Sequence, residues 1–405
     1  MILTLRLAWR NLWRHARRTW LTIGAMVFSN VLLVFMISFQ FSVYDLMINN
    51  SLRAFSGHMQ VQAPGYIDDG SMRQTVAEIV PLASRLRQDF PDADIAARAS
   101  GFVLASSEQR SYGIAVYGVE PAFEPSASSI PGLVTDGRFV ESGDEVIIGT
   151  VLARNLRVSV GDELTMLGSG RDGSFAAAVM TIVGIFDSGI PDLDRSIAEI
   201  PLATFQEVFY MRGSGHQIVI NAPTIDSASD YRQRIRALLP DDLELHDWTA
   251  LQPGLKQAIT ADLSSSFFVY GVLVILVAFS VLNTGLMSVL ERTREFGILM
   301  ALGIAPGRLG RLVLLETALM GAIGILLGAL LGGILTAYFG VTGFVVPGME
   351  EMAVRFNLPA RLYPGISVVT LFAGPFVVFL VSILATLYPA FRLNRLQPVE
   401  AMRAA

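Results

Sequence analysis

The segment Glu291-Arg-Thr-Arg-Glu-Phe-Gly-Ile-Leu-Met-Ala-Leu-Gly303 places four charges, Glu291, Arg292, Arg294 and Glu295, ahead of an apolar ridge of Phe296, Ile298, Leu299 and Leu302. Gly303 and Pro306 then stop the helix that this spacing predicts. A short helix of this kind is suited to enter a groove on a soluble protein, and the alternative is a solvated connection between longer helices. Covalent chemistry has no comparable foothold. With no cysteine there is no disulfide, thiolate metal site, thiol nucleophile or acylated cysteine anchor. Lys256 is the only lysine, so the phosphate-binding loop GxxxxGK(S/T) is absent and ATP hydrolysis must be supplied by another chain. His15, His58, His216 and His246 are scattered and read as turn or surface residues; neither HExxH nor GxSxG occurs. No catalytic or metal site is expected.

The elements that must hold this segment are set by lipid. Of 405 residues, 52% are apolar and 16% charged, with a mean hydropathy of +0.52, which does not fit a soluble chain. Four windows, 20–43, 263–290, 317–349 and 362–391, contain no Asp, Glu, Lys or Arg. Each exceeds the about 20 residues needed to cross a bilayer. The first is longer than a signal-peptide core and is not followed by a small-x-small cleavage site, so it is expected to remain attached. The expected fold class is membrane α-helical, four transmembrane helices with a large extracytoplasmic α+β domain between helices 1 and 2. The expected boundaries are an interfacial amphipathic helix (1–19), helix 1 (20–44), the outer domain (45–262), helix 2 (263–290), a cytoplasmic helix and loop (291–316), helix 3 (317–340), an outer loop (341–365), helix 4 (366–391) and a cytoplasmic tail (392–405).

Charge orients these pieces. Arg6, Arg10, Arg14, Arg17 and Arg18 precede the first window without any acid, and arginines recur in 291–316 and 392–405. In the loop 350–361, Arg355 and Arg361 are offset by Glu350 and Glu351. The positive-inside rule therefore puts both termini and 291–316 in the cytoplasm. Residues 45–262 hold 16 basic and 29 acidic side chains, a net of −13 that would repel phosphate and argues against nucleic acid as a partner. Leu5, Trp9, Leu12 and Trp13 share a helical face opposite Arg6, Arg10, Arg14 and Arg17, which suits an interfacial helix on membrane lipid or a plain topology anchor.

The windows lack the ionisable group that ion-coupled transport requires, their polar content being limited to groups such as Ser29, Asn30, Ser38, Gln40, Asn283 and Thr284. Gly324, Gly328 and Gly332 form a doubled GxxxG for close helix packing, within the chain or with a second copy. Gly374-Pro375 is expected to kink the last span. Between the first two spans, β-rich runs (59–62, 112–117, 145–148, 163–167, 179–185, 217–220) alternate with helical stretches (76–90, 227–239), which predicts an α+β domain of two lobes with a boundary near 95–120 and a return near 215. Helical stalks are expected to continue the first two spans outward.

Glu291–Gly303 closely resembles the ERxREIGxLxALG motif of the FtsX-like, MacB-type permeases of ABC transporters. Ala8-Trp-Arg-Asn-Leu-Trp-Arg with Arg17-Arg-Thr is similar to that family's opening, and Tyr388-Pro-Ala-Phe-Arg with Leu396-Gln-Pro-Val-Glu-Ala-Met-Arg403 to its ending. Asp144-Glu-Val-Ile-Ile-Gly, Leu152-Ala and Val160-Gly-Asp-Glu-Leu-Thr165 resemble segments of its periplasmic core domain. Gly118-Val-Glu-Pro, Gly137-Arg-Phe, Ile182–Asp194 and Ile200-Pro-Leu-Ala favour the lipoprotein-releasing, LolC/LolE-like branch.

The resemblance implies a bacterial inner-membrane subunit without catalysis of its own, mechanically coupled to two copies of a cytoplasmic ATPase that binds ATP and Mg. It also implies a second permease, identical or paralogous, and a periplasmic carrier or adaptor. Glu291, Arg292, Arg294, Glu295, Phe296, Gly297, Leu299, Leu302 and Gly303 are then the ATPase-coupling residues. For a lipidated cargo, Phe39, Phe41, Tyr44, Phe267, Phe268 and Tyr270 are candidates to contact acyl chains; as ordinary belt aromatics they would have no such role. The alternatives within the family are tripartite efflux and non-transporting regulation of a periplasmic hydrolase.

Overall fold

The computed structural model describes residues 2–14, 16–108, 110–345, 359 and 361–393. They form two compact units, one from 2–44, 259–345 and 361–393, the other from 45–258 with 359. His15, the loop charges Glu350, Glu351 and Arg355, and the tail motif Leu396–Arg403 lie outside the described residues.

Among the described residues, four helices are long and apolar enough to cross a membrane: Ala16–Ser51, Pro253–Glu291, Pro306–Thr342 and Val368–Leu393. Lipid offers no hydrogen-bond partners, so each apolar segment closes its backbone on itself. The first two, with 36 and 39 residues, are about 54 and about 58 Å long at 1.5 Å per residue. Both exceed the about 30 Å hydrocarbon layer and continue past their charge-free windows. A separate helix, Ile2–Arg14, precedes them. The segment 291–316 is mostly helix rather than loop: Thr293–Ala301 is followed at Pro306 by the third long helix, with proline in its first turn.

Small residues let these helices approach. A Cβ added at Gly324 would lie 3.0 Å from Met26, one at Gly332 would lie 2.9 Å from Val34, and one at Gly328 would collide with Asn30. The Asn30 amide donates to the Gly324 carbonyl at 3.0 Å. The glycine stripe thus receives the first long helix of the same chain. Gly374 receives Leu33 in the same way, at 2.9 Å.

The outer unit carries ten strands among the described residues: β1 (Met59–Gln62), β2 (Asp94–Ser106), β3 (Ser111–Val119), β4 (Val134–Gly137), β5 (Glu145–Gly149), β6 (Glu163–Ser169), β7 (Phe175–Phe186), β8 (Ile197–Pro201), β9 (Gln217–Asn221) and β10 (Glu244–Asp247). Their order is β10-β1-β9-β2-β3-β8-β5-β7-β4, with β6 pairing β2 and β7. The β3–β8 and β5–β7 pairs are parallel. The sheet runs straight through the region where two lobes were expected to divide. β2 pairs with β9 from Asp94 to Arg98 and with β6 from Leu104 to Ser106, so it belongs to both halves. The main apolar core runs from Ile79 and Leu86 at one end through Ala97 and Ala99 to Leu164 and Ile182 at the other, and a second cluster gathers Val119, Ile130, Val140, Ile147, Phe186 and Ile197.

Candidate functional site

The segment with the strongest sequence signal is built from its breaks inward. Arg292 leaves helical geometry (φ −103°, ψ 10°), ending one helix and allowing Thr293–Ala301 to set off as another. Phe296, Gly297 and Met300 face inward, and Phe296 is fully buried with Val289, Leu309, Val313 and Leu393. Gly303, at φ +90°, terminates the helix. Its N–H donates to the Met300 carbonyl at 3.0 Å and the Ile304 N–H to the Leu299 carbonyl at 3.1 Å. This is a Schellman ending, completed by Leu299 and Ile304 packing on the same cluster.

An ion-pair network fixes the start of the helix. Arg292, 8% exposed, meets Glu316, 7% exposed, at 3.0 Å and Glu295 at 3.4 Å. The Asn11 amide donates to the same Glu316 carboxylate at 2.7 Å. At the rim, Arg14 pairs with Glu295 at 2.9 Å and Arg18 with Glu291 at 2.8 Å. Helix Ile2–Arg14, the start of the first long helix, the Arg292 break and the third long helix are therefore joined through charged side chains. Asn11 and Glu316 escape a reading of the motif alone because they lie far from it in sequence.

The nine expected coupling residues divide. Arg294 and Leu302 face outward, and Ile298, which is not among the nine, lies between them at four-residue spacing with Ala301 beside the row; Ile298 is 48% and Leu302 76% exposed. Gly303 is exposed as well. Phe296 and Gly297 are buried and Leu299 is half-buried, so these three hold the helix instead of offering it to a partner. Glu291, Arg292 and Glu295 are committed to partners within the chain. The spacing carried this division: 292, 296 and 300 form one row and 294, 298 and 302 the other. Since both rows contain apolar residues, only the neighbouring helices select the inner one.

Within the single chain the six aromatic candidates, expected to line a gap between the first two spans of facing subunits, sit in different surroundings. Phe41, Phe267 and Phe268 are exposed. Phe39 stacks on Phe35 and meets Phe344 edge-on at 5.5 Å. The hydroxyl of Tyr44 donates to Asp262 at 2.5 Å and that of Tyr270 to Gln40 at 2.7 Å. Gln40 in turn donates to Ser266, also at 2.5 Å. Tyr44 and Tyr270 thus serve a polar cross-link between the first two long helices, because a buried hydroxyl needs a partner.

Four membrane-length helices and a short helix with one exposed row, with a large mixed-sheet domain inserted after the first long helix, define a multi-pass membrane protein of permease type. Residues 19–238 match the MacB-like periplasmic core domain and residues 267–398 the FtsX-like permease C-terminal family. The chain belongs to the FtsX-like, MacB-type ABC transporter permeases. It is 27% identical over 276 residues to the lipoprotein-releasing system transmembrane protein LolC of Xylella fastidiosa, covering 64% of each chain and so less than two thirds of that relative. It is 27% identical over 339 residues to the corresponding LolE of Haemophilus influenzae, covering 79% of this chain and 80% of that one. The periplasmic region of MacB from Actinobacillus actinomycetemcomitans aligns with 53% of this chain and 97% of its own at 13% identity, with a TM-score of 0.37.

Proposed function

We propose that this chain is the permease subunit of an ABC transporter in a bacterial inner membrane, and that it serves the release of lipoproteins. The reading joins its LolC/LolE-like relatives to one observation, the outward row Arg294, Ile298 and Leu302 on a helix whose inner row is locked. The exposed row enters a groove of a cytoplasmic ATPase subunit, two copies of which serve a pair of permeases, identical or paralogous. ATP, with Mg, is bound and hydrolysed there. Because Arg292–Glu316 ties the docked helix to the third long helix, and Arg14 and Arg18 tie it to the first, displacement of the docked helix reaches both spans. The membrane part works as a lever and the outer domain as the moved head, with both termini cytoplasmic.

The test is copurification and stimulated ATP hydrolysis with the ATPase subunit in nanodiscs. Leu302→Asp should cut stimulated hydrolysis at least tenfold without lowering the melting temperature, since Leu302 touches little of its own chain. Glu295→Gln, which weakens the exposed pair with Arg14 and the longer 3.4 Å contact with Arg292 while leaving Arg292–Glu316 in place, should change hydrolysis by less than twofold. Full stimulation of the Leu302→Asp protein would remove this docking face.

A further inference from the structure

The first long helix ends in a π turn, Leu52–Ser56, a form concentrated at functional positions. Helix ends leave carbonyls without partners, yet here five successive ones are taken. The Leu52 carbonyl accepts from the Gly57 N–H at 2.8 Å and that of Arg53 from the Ser129 N–H at 2.9 Å. Ala54 accepts from the Ser128 hydroxyl at 3.1 Å, Phe55 from the Arg98 guanidinium at 2.5 Å and Ser56 from the Gln60 amide at 2.7 Å. Arg98 lies on β2 and Gln60 on β1, so the sheet itself grips the turn.

Arg98 bears the cost. It is 0% exposed, as is Glu124, which it meets through two guanidinium nitrogens, one at 3.0 Å. The guanidinium carbon lies 4.4 Å from the centre of the Phe55 ring. Burying such a pair costs several kcal/mol per ion before attraction is counted, and apolar side chains of equal volume often stabilise as well. Packing alone therefore does not account for an arginine here; a donor able to reach a helix carbonyl while its charge is met does. The approach to the second long helix converges on the same turn. Gln252 accepts from the Ser51 hydroxyl at 2.6 Å and donates to the Ser56 hydroxyl at 2.8 Å.

We infer that Leu52–Ser56 is a mechanical clamp, with Arg98 as its positioning residue, so that residues 45–56 and the sheet move as one body. Its purpose rests on the lever reading above; its geometry does not.

The chain contains no cysteine, so spin labels can be placed singly at 46, on the helix, and at 102, where Phe102 is 82% exposed. In the full chain in nanodiscs the label pair should give one narrow distance. Arg98→Gln with Glu124→Gln, which removes both charges and shortens the arm that reaches the Phe55 carbonyl, should broaden it at least twofold. If that variant does not fold, Ser128→Ala, which removes the bond to the Ala54 carbonyl together with the one accepted from the Ile130 N–H, should broaden it to a smaller extent. Two distances in the unmodified clamp, or unbroadened distances in the variant that folds, would overturn the inference.

With the ATPase subunit and vanadate added, the 46–102 distance should stay within its nucleotide-free width. The clamp variant should hydrolyse ATP within twofold of the parent while the nucleotide-dependent displacement of position 102 between paired copies falls at least twofold. A displacement that persists unchanged would also overturn it. Should the ATPase not bind at all, the permease reading fails, and the first measurement still decides the clamp.

Discussion

Both units bury an arginine against a glutamate beside the end of a long helix, and the two arginines are treated differently. The side chains of Arg292 and Glu316 keep 10% and 9% of their exposure and continue into a rim where Arg14 keeps 62% and Glu295 42%. Those of Arg98 and Glu124 keep none. A charge near water can exchange one partner for another at small cost, because water and salt screen what is lost. A sealed charge cannot, because any departure leaves its partner uncompensated in a medium of low dielectric. The wet pair suits a helix that responds to something docking on it, and the dry pair a helix end that must not slip.

The sharpest way to break this contrast is to truncate each arginine. Arg98→Met should destabilise the outer unit by about 3–5 kcal/mol, the range for removing one partner of a buried ion pair. Arg292→Met should cost about half of that or less, because Asn11 still donates to Glu316 and water reaches the rim. Equal losses in denaturant titrations of the full chain would erase the distinction.

Acid provides the next largest effect. Burial lowers both His58 and His216 to about 4. Unfolded histidines bind a proton near 6.5, so between 6.5 and 4 the unfolded chain holds more protons and stability falls with pH. The loss should be on the order of 3 kcal/mol per histidine by pH 4, and His58→Gln should flatten its share of the curve. Glu199 has the opposite sign. Burial raises it well above the usual range, and neither carboxylate oxygen has a hydrogen-bond partner among the described residues. Its cost therefore grows as pH rises above 4.5, and Glu199→Gln should raise the melting temperature at pH 7 and lose that advantage in acid.

The smallest effect belongs to Gly303. A Cβ there meets nothing within 4 Å, so Gly303→Ala carries only the price of a positive φ, about 1 kcal/mol. A helicity or melting change several times larger would mean that the helix ending bears load beyond its own turn.

Absence of charge over four long windows was enough to specify four helices, because lipid leaves an apolar backbone no other way to satisfy itself. Gly303 marked the stop of the short helix for a similarly local reason, its positive φ, whereas Pro306, lacking an N–H, opens the next helix. Runs rich in valine and isoleucine such as Gln217–Asn221 declared themselves as strands. β2 did not, more than half of it being alanine, serine and glycine, and β8 hides a buried Glu199 in its centre. Both are held by their sheet neighbours, and strand preference depends on such neighbours more than on the residue itself. Which row of Thr293–Ala301 faces inward, which carboxylate meets Arg292 and which carbonyl meets Arg98 were tertiary decisions. Each depends on a partner remote in the chain, and periodicity carries no information about distance in space.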